Sequence, residues 1–365
     1  MKVLQIALNN QYRSYKQAQA LRASGVDVDL VTLPINSNNS FLDAYKDKNI
    51  KANQYSIHGW KIADSIQLDS AELKCAIEHS KPDIIKVQNP PDYTTLDVKR
   101  ACGKIPVVHD LADIYSLMTV NSTEVYNGCE HHALLASDGI INVSPLLEKY
   151  MLKAYPDLKG KPMTTMANYC LLNQIPEEKL QKKSENFFNK MFGWKQLVYS
   201  GSFFEKSYRN LAPLFDKFSQ MKGLWINMYS NQPVKQRRYF DKKGFFKYHI
   251  HKAVPALQLT KELTQYDVGY VGFSDNTPNL IAALPNKFYE YYSAGIPICT
   301  QFIYEEMANF IKENKCGFTF SDEEDFMKGL DKWCGKTYKV RKENFMENQI
   351  PRLIKFYEEV ISNGR

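Results

Sequence analysis

Residues 283–298 read Ala-Leu-Pro-Asn-Lys-Phe-Tyr-Glu-Tyr-Tyr-Ser-Ala-Gly-Ile-Pro-Ile, a stretch in which a helix leads directly into an apolar strand. Pro285 and Asn286 follow a loop and suit the start of a helix. Gly295 is a typical helix stop, and Pro297 begins the strand. Short apolar strands alternate with amphipathic helices in the same way through most of the chain, which predicts parallel strands joined by right-handed crossovers.

This alternation divides the chain into two parts. We predict an α/β fold of two Rossmann-like domains that face each other across a cleft. Residues 1–170 form the N-terminal domain in this prediction. Residues 171–194, rich in Lys, Glu, Gln and Asn, form a linker, and residues 195–349 form the C-terminal domain. A C-terminal helix at about 350–365 could pack back on the first domain.

Composition narrows the class of protein. The chain has 365 residues, 44% of them hydrophobic and 24% charged, which excludes a disordered chain, a collagen and a coiled-coil rod. Its net charge of +7 fits phosphorylated ligands or an anionic membrane and does not require nucleic acid. The seven cysteines are scattered without a C-x-x-C pair, so we expect reduced thiols in the cytoplasm and no zinc site. Neither a signal peptide nor a membrane-spanning helix is predicted.

Three polar residues of the opening segment could bind a ligand. Asn286 and Lys287 lie in the first turn of the predicted helix, and a helix N-terminus attracts anions. A cation there is unfavourable unless an anion binds nearby. Glu290, one turn later, could hold a ribose diol. The alternative is a surface ion pair between Lys287 and Glu290.

The segment resembles the C-domain motif of GT-B glycosyltransferases, in particular glycosyltransferase family 4 (glycosyl transferases group 1), with the pattern P-x-K-x-x-E-[YA]-x-[AS]-x-G-x-P. Further segments are similar to that family in the same order along nearly the whole chain. They are Lys81-Pro-Asp-Ile-Ile85, Ile105-Pro-Val-Val-His-Asp-Leu111, Ala136-Ser-Asp-Gly-Ile-Ile-Asn-Val-Ser144, Asn168, Tyr199-Ser-Gly-Ser202 and Tyr266-Asp-Val-Gly269.

The resemblance implies that the N-terminal domain binds the acceptor and the C-terminal domain the nucleotide sugar, with the nucleoside diphosphate against the second domain. Gly201 and Ser202 would form the phosphate turn, and Lys206 and Arg209 would supply the basic pair, although Ser202 stands where the family has arginine. Lys206 and Arg209 are otherwise solvated surface charges. The remaining donor residues would be Asn286, Lys287 and Glu290, the last matching the second glutamate of the family's E-x7-E motif.

Ala282 stands where the family has the first glutamate of that motif, which usually contacts the donor sugar. Asp275, Asn276 or Asn279 could substitute for it. The departure leaves the sugar and the retaining stereochemistry open.

Similar enzymes point a histidine at the donor sugar from the first domain, which would be His109; the alternative is a histidine that caps a loop. If the enzyme inverts configuration, Asp110 or Asp113 is the candidate base. Arg13, in the first loop, could reach the diphosphate or an acceptor phosphate.

The resemblance implies a metal-independent, retaining transfer of a sugar from a UDP- or GDP-linked donor to a glycan or glycolipid of a cell-surface polysaccharide pathway. No further cofactor, no metal and no nucleic acid is expected. The alternatives are a non-hydrolysing sugar-nucleotide 2-epimerase and a catalytically degenerate protein that binds a glycan or a partner.

Two sequence patterns suggest metal sites but have a simpler explanation. Asp27-Val-Asp29 alternates within a predicted strand. The side chains of residues 129–132 spread around one helix and do not share a face. The basic stretch 235–243 is either a solvated loop or a peripheral contact with the inner face of the membrane.

Overall fold

The computed structural model describes residues 1–7, 11–32, 54–56, 59–62, 65–68, 70–89, 92–118, 124–182, 191–201 and 210–364. The chain forms two compact units. Unit 1 comprises residues 1–171 and 342–365, and unit 2 comprises residues 172–341. Unit 1 is therefore built from both ends of the chain, whereas unit 2 is one continuous segment.

Unit 1 is built around a seven-stranded parallel sheet. Its strands, including a separate hairpin, are β1 (Lys2–Ala7), β2 (Asp27–Thr32), β3 (Gln54–Ser56), β4 (Gly59–Ile62), β5 (Ser65–Leu68), β6 (Ile84–Gln88), β7 (Val107–Leu111), β8 (Gly139–Asn142) and β9 (Met163–Thr165). The sheet order is β3-β2-β1-β6-β7-β8-β9, so it reverses between β1 and β6, while β4 and β5 pair antiparallel.

Helices alternate with these strands. They are α1 (Gln11–Ala23), α2 (Ser70–Ser80), α3 (Tyr93–Ala101), α4 (Glu124–Ala136) and α5 (Pro145–Ala154), with 3-10 turns at Tyr115–Leu117 and Pro156–Leu158. The side chains of β6, β7 and β8 are all buried, as expected of parallel strands covered on both faces. Ser144 caps α5, since its Oγ accepts a 3.1 Å hydrogen bond from the Leu147 N–H.

Unit 2 repeats the pattern with a six-stranded parallel sheet of order β12-β11-β10-β13-β14-β15, which reverses between β10 and β13. The strands are β10 (Lys195–Ser200), β11 (Leu224–Ser230), β12 (Tyr248–Lys252), β13 (Val268–Tyr270), β14 (Ile298–Gln301) and β15 (Gly317–Phe320). A 3-10 turn, Leu172–Gln174, precedes them, and the helices are α6 (Ala212–Gln220), α7 (Pro233–Lys242), α8 (Ala256–Leu263), α9 (Pro278–Ile281), α10 (Asn286–Ala294), α11 (Glu305–Asn314) and α12 (Glu323–Trp333).

The chain returns to unit 1 through a 3-10 turn, Lys342–Asn344, and the long helix α13 (Met346–Asn363). Its apolar face completes one core of unit 1 together with β1, α1 and β8. A Cβ built on Gly139 would lie only 2.8 Å from side-chain atoms of Phe356 and Val360, so β8 needs a glycine there for the helix to pack this closely. The residues of α13 in this core are Met346, Ile350, Leu353, Phe356, Tyr357 and Val360.

The predicted α/β class with two Rossmann-like domains is confirmed by the two reversing parallel sheets. The cleft between the domains stays a prediction. One local expectation was wrong, because the basic stretch 235–243 is mostly helix α7 and not a loop. The C-terminal helix, expected at about 350–365, begins earlier, at Met346. The predicted linker 171–194 includes residues 183–190, which lie outside the described residues.

Candidate functional site

Unit 2 places a glycine turn at the carboxyl end of β10, where the strand order reverses. Gly201 follows the strand directly, and its φ of +136° is a backbone conformation that favours glycine. Its N–H donates a 2.8 Å hydrogen bond to the Tyr229 carbonyl, which joins the turn to the end of β11. Ligands of open α/β sheets bind outside the strand ends at such a reversal. Gly201 therefore lies where we expect a ligand of this unit.

The amine of Lys287 lies over this turn. Lys287 is the second residue of α10, and Pro285 precedes the helix without a side-chain cap. Its Nζ is 3.9 Å from the centre of the Tyr199 ring, and a Cβ built on Gly201 would lie 3.0 Å from the same atom. The Tyr199 ring therefore holds the Lys287 cation beside the helix N-terminus. Positive charge is unfavourable at that end of a helix unless an anion binds nearby. The arrangement favours a phosphate at this edge of the sheet.

Glu290 lies one turn further along α10. Its side chain is only 6% exposed, which argues against the alternative of a surface ion pair with Lys287. The next residue fixes the helix to the sheet, because the Tyr291 hydroxyl accepts a 2.6 Å hydrogen bond from the Ser200 N–H. Helix α10 thus carries Asn286, Lys287 and Glu290 beside the end of β10. A carboxylate held in this way can accept two hydroxyl hydrogen bonds from a ribose.

A cavity of about 450 Å³ opens next to the loop that follows β13, and Asp275 and Asn276 line it. Tyr304 supports this loop, since its hydroxyl donates a 2.7 Å hydrogen bond to the Phe273 carbonyl. Asn279 is not part of the cavity lining; it lies on α9 and is 2% exposed. The structure therefore keeps Asp275 and Asn276 together and places Asn279 apart from them.

Three predicted donor residues, Ser202, Lys206 and Arg209, lie outside the described residues, and their contacts stay predictions. The described chain resumes at Asn210, which lines the same cavity as Asp275.

In unit 1, Arg13 and Asp110 form a buried ion pair, and neither has an exposed side chain. Arg13 Nη2 lies 2.8 Å from Asp110 Oδ1, and the guanidinium also donates to Asn168 Oδ1 and to the Met166 carbonyl. Lys86 Nζ lies 3.0 Å from the other Asp110 oxygen. The Arg13 and Asp110 side chains are thus engaged with each other inside unit 1, and their contacts with a phosphate or an acceptor hydroxyl stay predictions.

The electrostatics of this pair bear on the predicted role of Asp110 as a base. Burial alone would raise the pKa of Asp110, but the Arg13 and Lys86 cations beside it hold that pKa well below its usual range. A carboxylate with such a low pKa is a poor proton acceptor. Asp110 is therefore a structural anion of unit 1.

His109 is also fully buried. Its Nδ1 lies 2.8 Å from Thr95 Oγ1, and its Nε2 lies 3.2 Å from Asp92 Oδ1, outside hydrogen-bond geometry. Both ring nitrogens thus face α3 and the residue before it, and the contact of His109 with a donor sugar stays a prediction. Asp113 differs from Asp110 because it is only partly buried and its carbonyl accepts a hydrogen bond from Asn89 Nδ2.

Two searches of the described residues bear on metals and membranes. No group of three or more His, Cys, Asp or Glu side chains in them could hold a metal ion. None of the helices they form has the length and apolar character needed to cross a membrane.

The chain is similar along its whole length to solved structures of proteins that act on sugars. It matches the sucrose-phosphate synthase tll1590 from Thermosynechococcus elongatus with a TM-score of 0.64 and 11% identity, over 100% of this chain and 97% of that one. It matches the pneumococcal O-GlcNAc transferase GtfA, solved with UDP and GlcNAc, with a TM-score of 0.64 and 9% identity over 99% of both chains. The chain has the GT-B fold.

The same fold includes enzymes of another class. A UDP-GlcNAc 2-epimerase from Neisseria meningitidis, bound to UDP-GlcNAc, matches with a TM-score of 0.55 and 13% identity over 99% of this chain and 94% of that one. No family model matches the chain, and no curated protein matches it in sequence. At such low identity the likeness establishes the GT-B fold and leaves the reaction to be argued from the site.

The GT-B chain has site features that the sequence reasoning did not assign. Tyr199 was quoted as part of the glycine turn without a role, yet its ring holds Lys287. Tyr291 was likewise part of the helix motif, and its contact with Ser200 joins the two motifs. An aromatic residue two positions before a strand-end glycine is the one sequence signal for Tyr199.

Proposed function

We propose that this GT-B protein is a glycosyltransferase that moves a sugar from a nucleoside-diphosphate sugar to a hydroxyl group of a glycan or glycolipid acceptor. The observation that carries the proposal is the Lys287 amine held beside Gly201, at the strand reversal of unit 2. A diphosphate there would meet an ammonium group, a helix N-terminus and an accessible backbone. Structural neighbours solved with UDP support a nucleotide ligand.

The same groups suit the chemistry of transfer. The bond to the donor sugar breaks as negative charge builds on the leaving diphosphate, and Lys287 with the N-terminus of α10 would stabilise that charge. Glu290 would hold the ribose. Lys206 and Arg209 would add positive charge, and UDP or GDP is the nucleotide we propose.

The acceptor half of the reaction rests on fewer residues. If configuration is retained, the chain needs no dedicated base. If it is inverted, Asp113 replaces Asp110 as the candidate, because Asp110 is buried in ion pairs. A role in cell-surface polysaccharide synthesis and the absence of a metal requirement belong to this proposal.

A 2-epimerase is the second candidate, favoured by the epimerases that share the fold. The fully buried Ala282, where the resembling family has a carboxylate, supports instead the binding-only alternative. An epimerase inverts C2 of UDP-GlcNAc without an acceptor, so incubation with UDP-GlcNAc alone, followed by ¹H NMR, separates the two enzymes. Conversion to the C2 epimer would replace the transferase proposal.

The first test is a thermal-shift panel of UDP, GDP, CDP, ADP and dTDP, each with and without Mg²⁺. A ligand that binds only the folded protein raises the melting temperature. We expect one nucleotide to do so without metal. Lys287→Met should weaken that nucleotide roughly tenfold or more, because a charge-assisted contact is lost. Lys312→Met, a matched change of an exposed lysine on α11, should leave affinity unchanged. No shift with any nucleotide would favour the binding-only alternative.

Glu290 allows a sharper test of nucleotide orientation. If its carboxylate holds the ribose, UDP should bind the wild type roughly tenfold more tightly than 2′-deoxy-UDP. Glu290→Ala should bind both equally, measured by calorimetry. An unchanged preference in the variant would remove Glu290 from the site, whichever nucleotide binds.

A further inference from the structure

Helix α7 and the turn that follows it, residues 233–247, concentrate the positive charge of unit 2. This segment contains Lys235, Arg237, Arg238, Lys242, Lys243 and Lys247 with only one acidic residue, Asp241, in a chain whose total charge is +7. The acid is already engaged, because its carboxylate accepts a hydrogen bond from the Tyr248 hydroxyl. The segment is therefore a strong local source of positive potential.

The helix separates a buried side from an exposed side. Gln236 is 1% exposed and Phe240 is fully buried, so one face of α7 packs onto the sheet. Val234, Arg238 and Lys242 are exposed, and their spacing of four residues places them on the opposite face. A helix of ten residues is roughly 15 Å long, which gives this exposed face the length to lie flat on a surface.

Contacts within the chain engage only some of the cations of this segment. Lys243 Nζ lies 3.8 Å from Asp216, and Lys247 Nζ donates a 2.7 Å hydrogen bond to the Met221 carbonyl. Arg238 and Lys242 form no ion pair or hydrogen bond with any residue that the structure describes. Two cations of the exposed face are thus available to an external anion.

Large apolar side chains flank these cations. Phe246 is 77% exposed and Val234 is 63% exposed. Gly244, with φ of +72°, reverses the chain after α7 and precedes Phe246. The Lys247 amine lies 5.8 Å from the centre of the Phe246 ring. The surface therefore has apolar groups and cations side by side.

We propose that this face, formed by α7 and residues 244–247, docks on an anionic lipid surface. A soluble polyanion would use the cations and leave Phe246 and Val234 in water. A bilayer interface accepts both, since anionic headgroups attract the basic side chains and the acyl boundary buries the apolar ones. The buried side of α7 packs against β12, the edge strand of the sheet. This strand is two strands away from β10 and Gly201, so the proposal does not depend on nucleotide binding.

The test is co-sedimentation of the full chain with vesicles of phosphatidylcholine, with or without 30 mol% phosphatidylglycerol. We expect partition onto the anionic vesicles only, and release at 0.5 M NaCl because salt screens the attraction. The double variant Arg238→Ala, Lys242→Ala should partition roughly 25-fold more weakly, at about fivefold for each cation. The matched control is Lys312→Ala, Lys332→Ala, which removes two exposed lysines of unit 2 outside this face and should bind like the wild type.

Phe246 separates a membrane from a soluble polyanion. Phe246→Ser should weaken vesicle binding by roughly tenfold or more at constant charge, whereas Phe246→Leu should restore most of it. Equal binding by Phe246→Ser and the wild type would overturn the lipid assignment in favour of a general polyanion surface. Equal loss in the lysine control would overturn the assignment to this face, because any lysine of unit 2 would then serve. Melting temperatures check that each variant, an exposed change, keeps the fold.

Discussion

Two features of Gly201, its backbone conformation and the space beside it, favour glycine at this position. Its φ of +136° is unfavourable for a residue with a side chain, and the Lys287 amine occupies the space that a Cβ would approach. The sequence alone suggested a phosphate turn because a glycine follows an apolar strand. The structure adds the reason why a larger residue would be harmful even without a ligand.

Gly201→Ala should therefore lower both stability and affinity. We expect a loss of about 1–3 kcal/mol in the free energy of unfolding, from backbone strain, measured by urea denaturation. Nucleotide affinity should also fall, since the Lys287 amine is pushed from its place. A control, Gly335→Ala, has a similar positive φ of +72° and no atom within 4 Å of the added Cβ, so it should cost stability only. A Gly201→Ala protein with full affinity would contradict the proposed turn.

At the element scale, α1 packs on β6 and β7 through charged groups as well as apolar ones. Arg13, Lys16 and Lys86 are all fully buried, and Asp110 is the buried carboxylate between two of them. Lys16 instead donates a 2.8 Å hydrogen bond to the Asn168 carbonyl. Burying cations costs free energy unless each is paired or hydrogen-bonded. These pairs therefore fix how α1 sits on β6 and β7, and the stability of the interface depends on the protonation of the paired groups.

Lys86 makes the stability of this interface depend on pH. Burial lowers the pKa of its amine to about 8, against the opposing effect of Asp110. The unfolded chain keeps an ordinary lysine pKa and binds the proton more tightly, so stability due to Lys86 rises as pH increases above about 8. Relative to Lys86→Met, the wild type should gain about 1 kcal/mol in unfolding free energy between pH 7 and pH 9. A constant difference between the two proteins would show that Lys86 does not titrate there.

At the scale of the whole molecule, the two units depend differently on the chain ends. Unit 2 is continuous, whereas unit 1 needs residues 342–365 to complete its core. Six apolar residues of α13 are buried there, and each contributes roughly 1.5–3 kcal/mol. Their sum is comparable with the total stability of an ordinary domain, about 5–15 kcal/mol.

Deletion of residues 342–365 should unfold unit 1 and leave unit 2 folded. Hydrogen exchange measured by mass spectrometry should become fast in β1, α1 and β8, because they lose the helix that covers them. Strands β10 and β11 should keep the protection that they have in the full chain. Equal loss of protection in both units would show that unit 2 also depends on the tail.

The α/β class follows from local patterns. Short apolar strands and amphipathic helices repeat along the chain, and each pattern is readable within a few residues. Helix α10 was predicted over the same residues, 286–294, because a proline before it and Gly295 after it mark its ends. Helix α7 was missed because its buried face, Gln236 and Phe240, has a single apolar side chain and the rest of the helix is mostly charged.

The sequence by itself determined the two-part α/β architecture and the residues that could bind a nucleotide, because periodicity, glycines and caps act locally. Only the tertiary structure decided which charged side chains remain available. Arg13 and Asp110 are 97 positions apart and form one buried pair, while Tyr199 and Lys287 come together at the end of β10. The role of a charged residue depends on partners distant in sequence, since burial and pairing are properties of the packed chain.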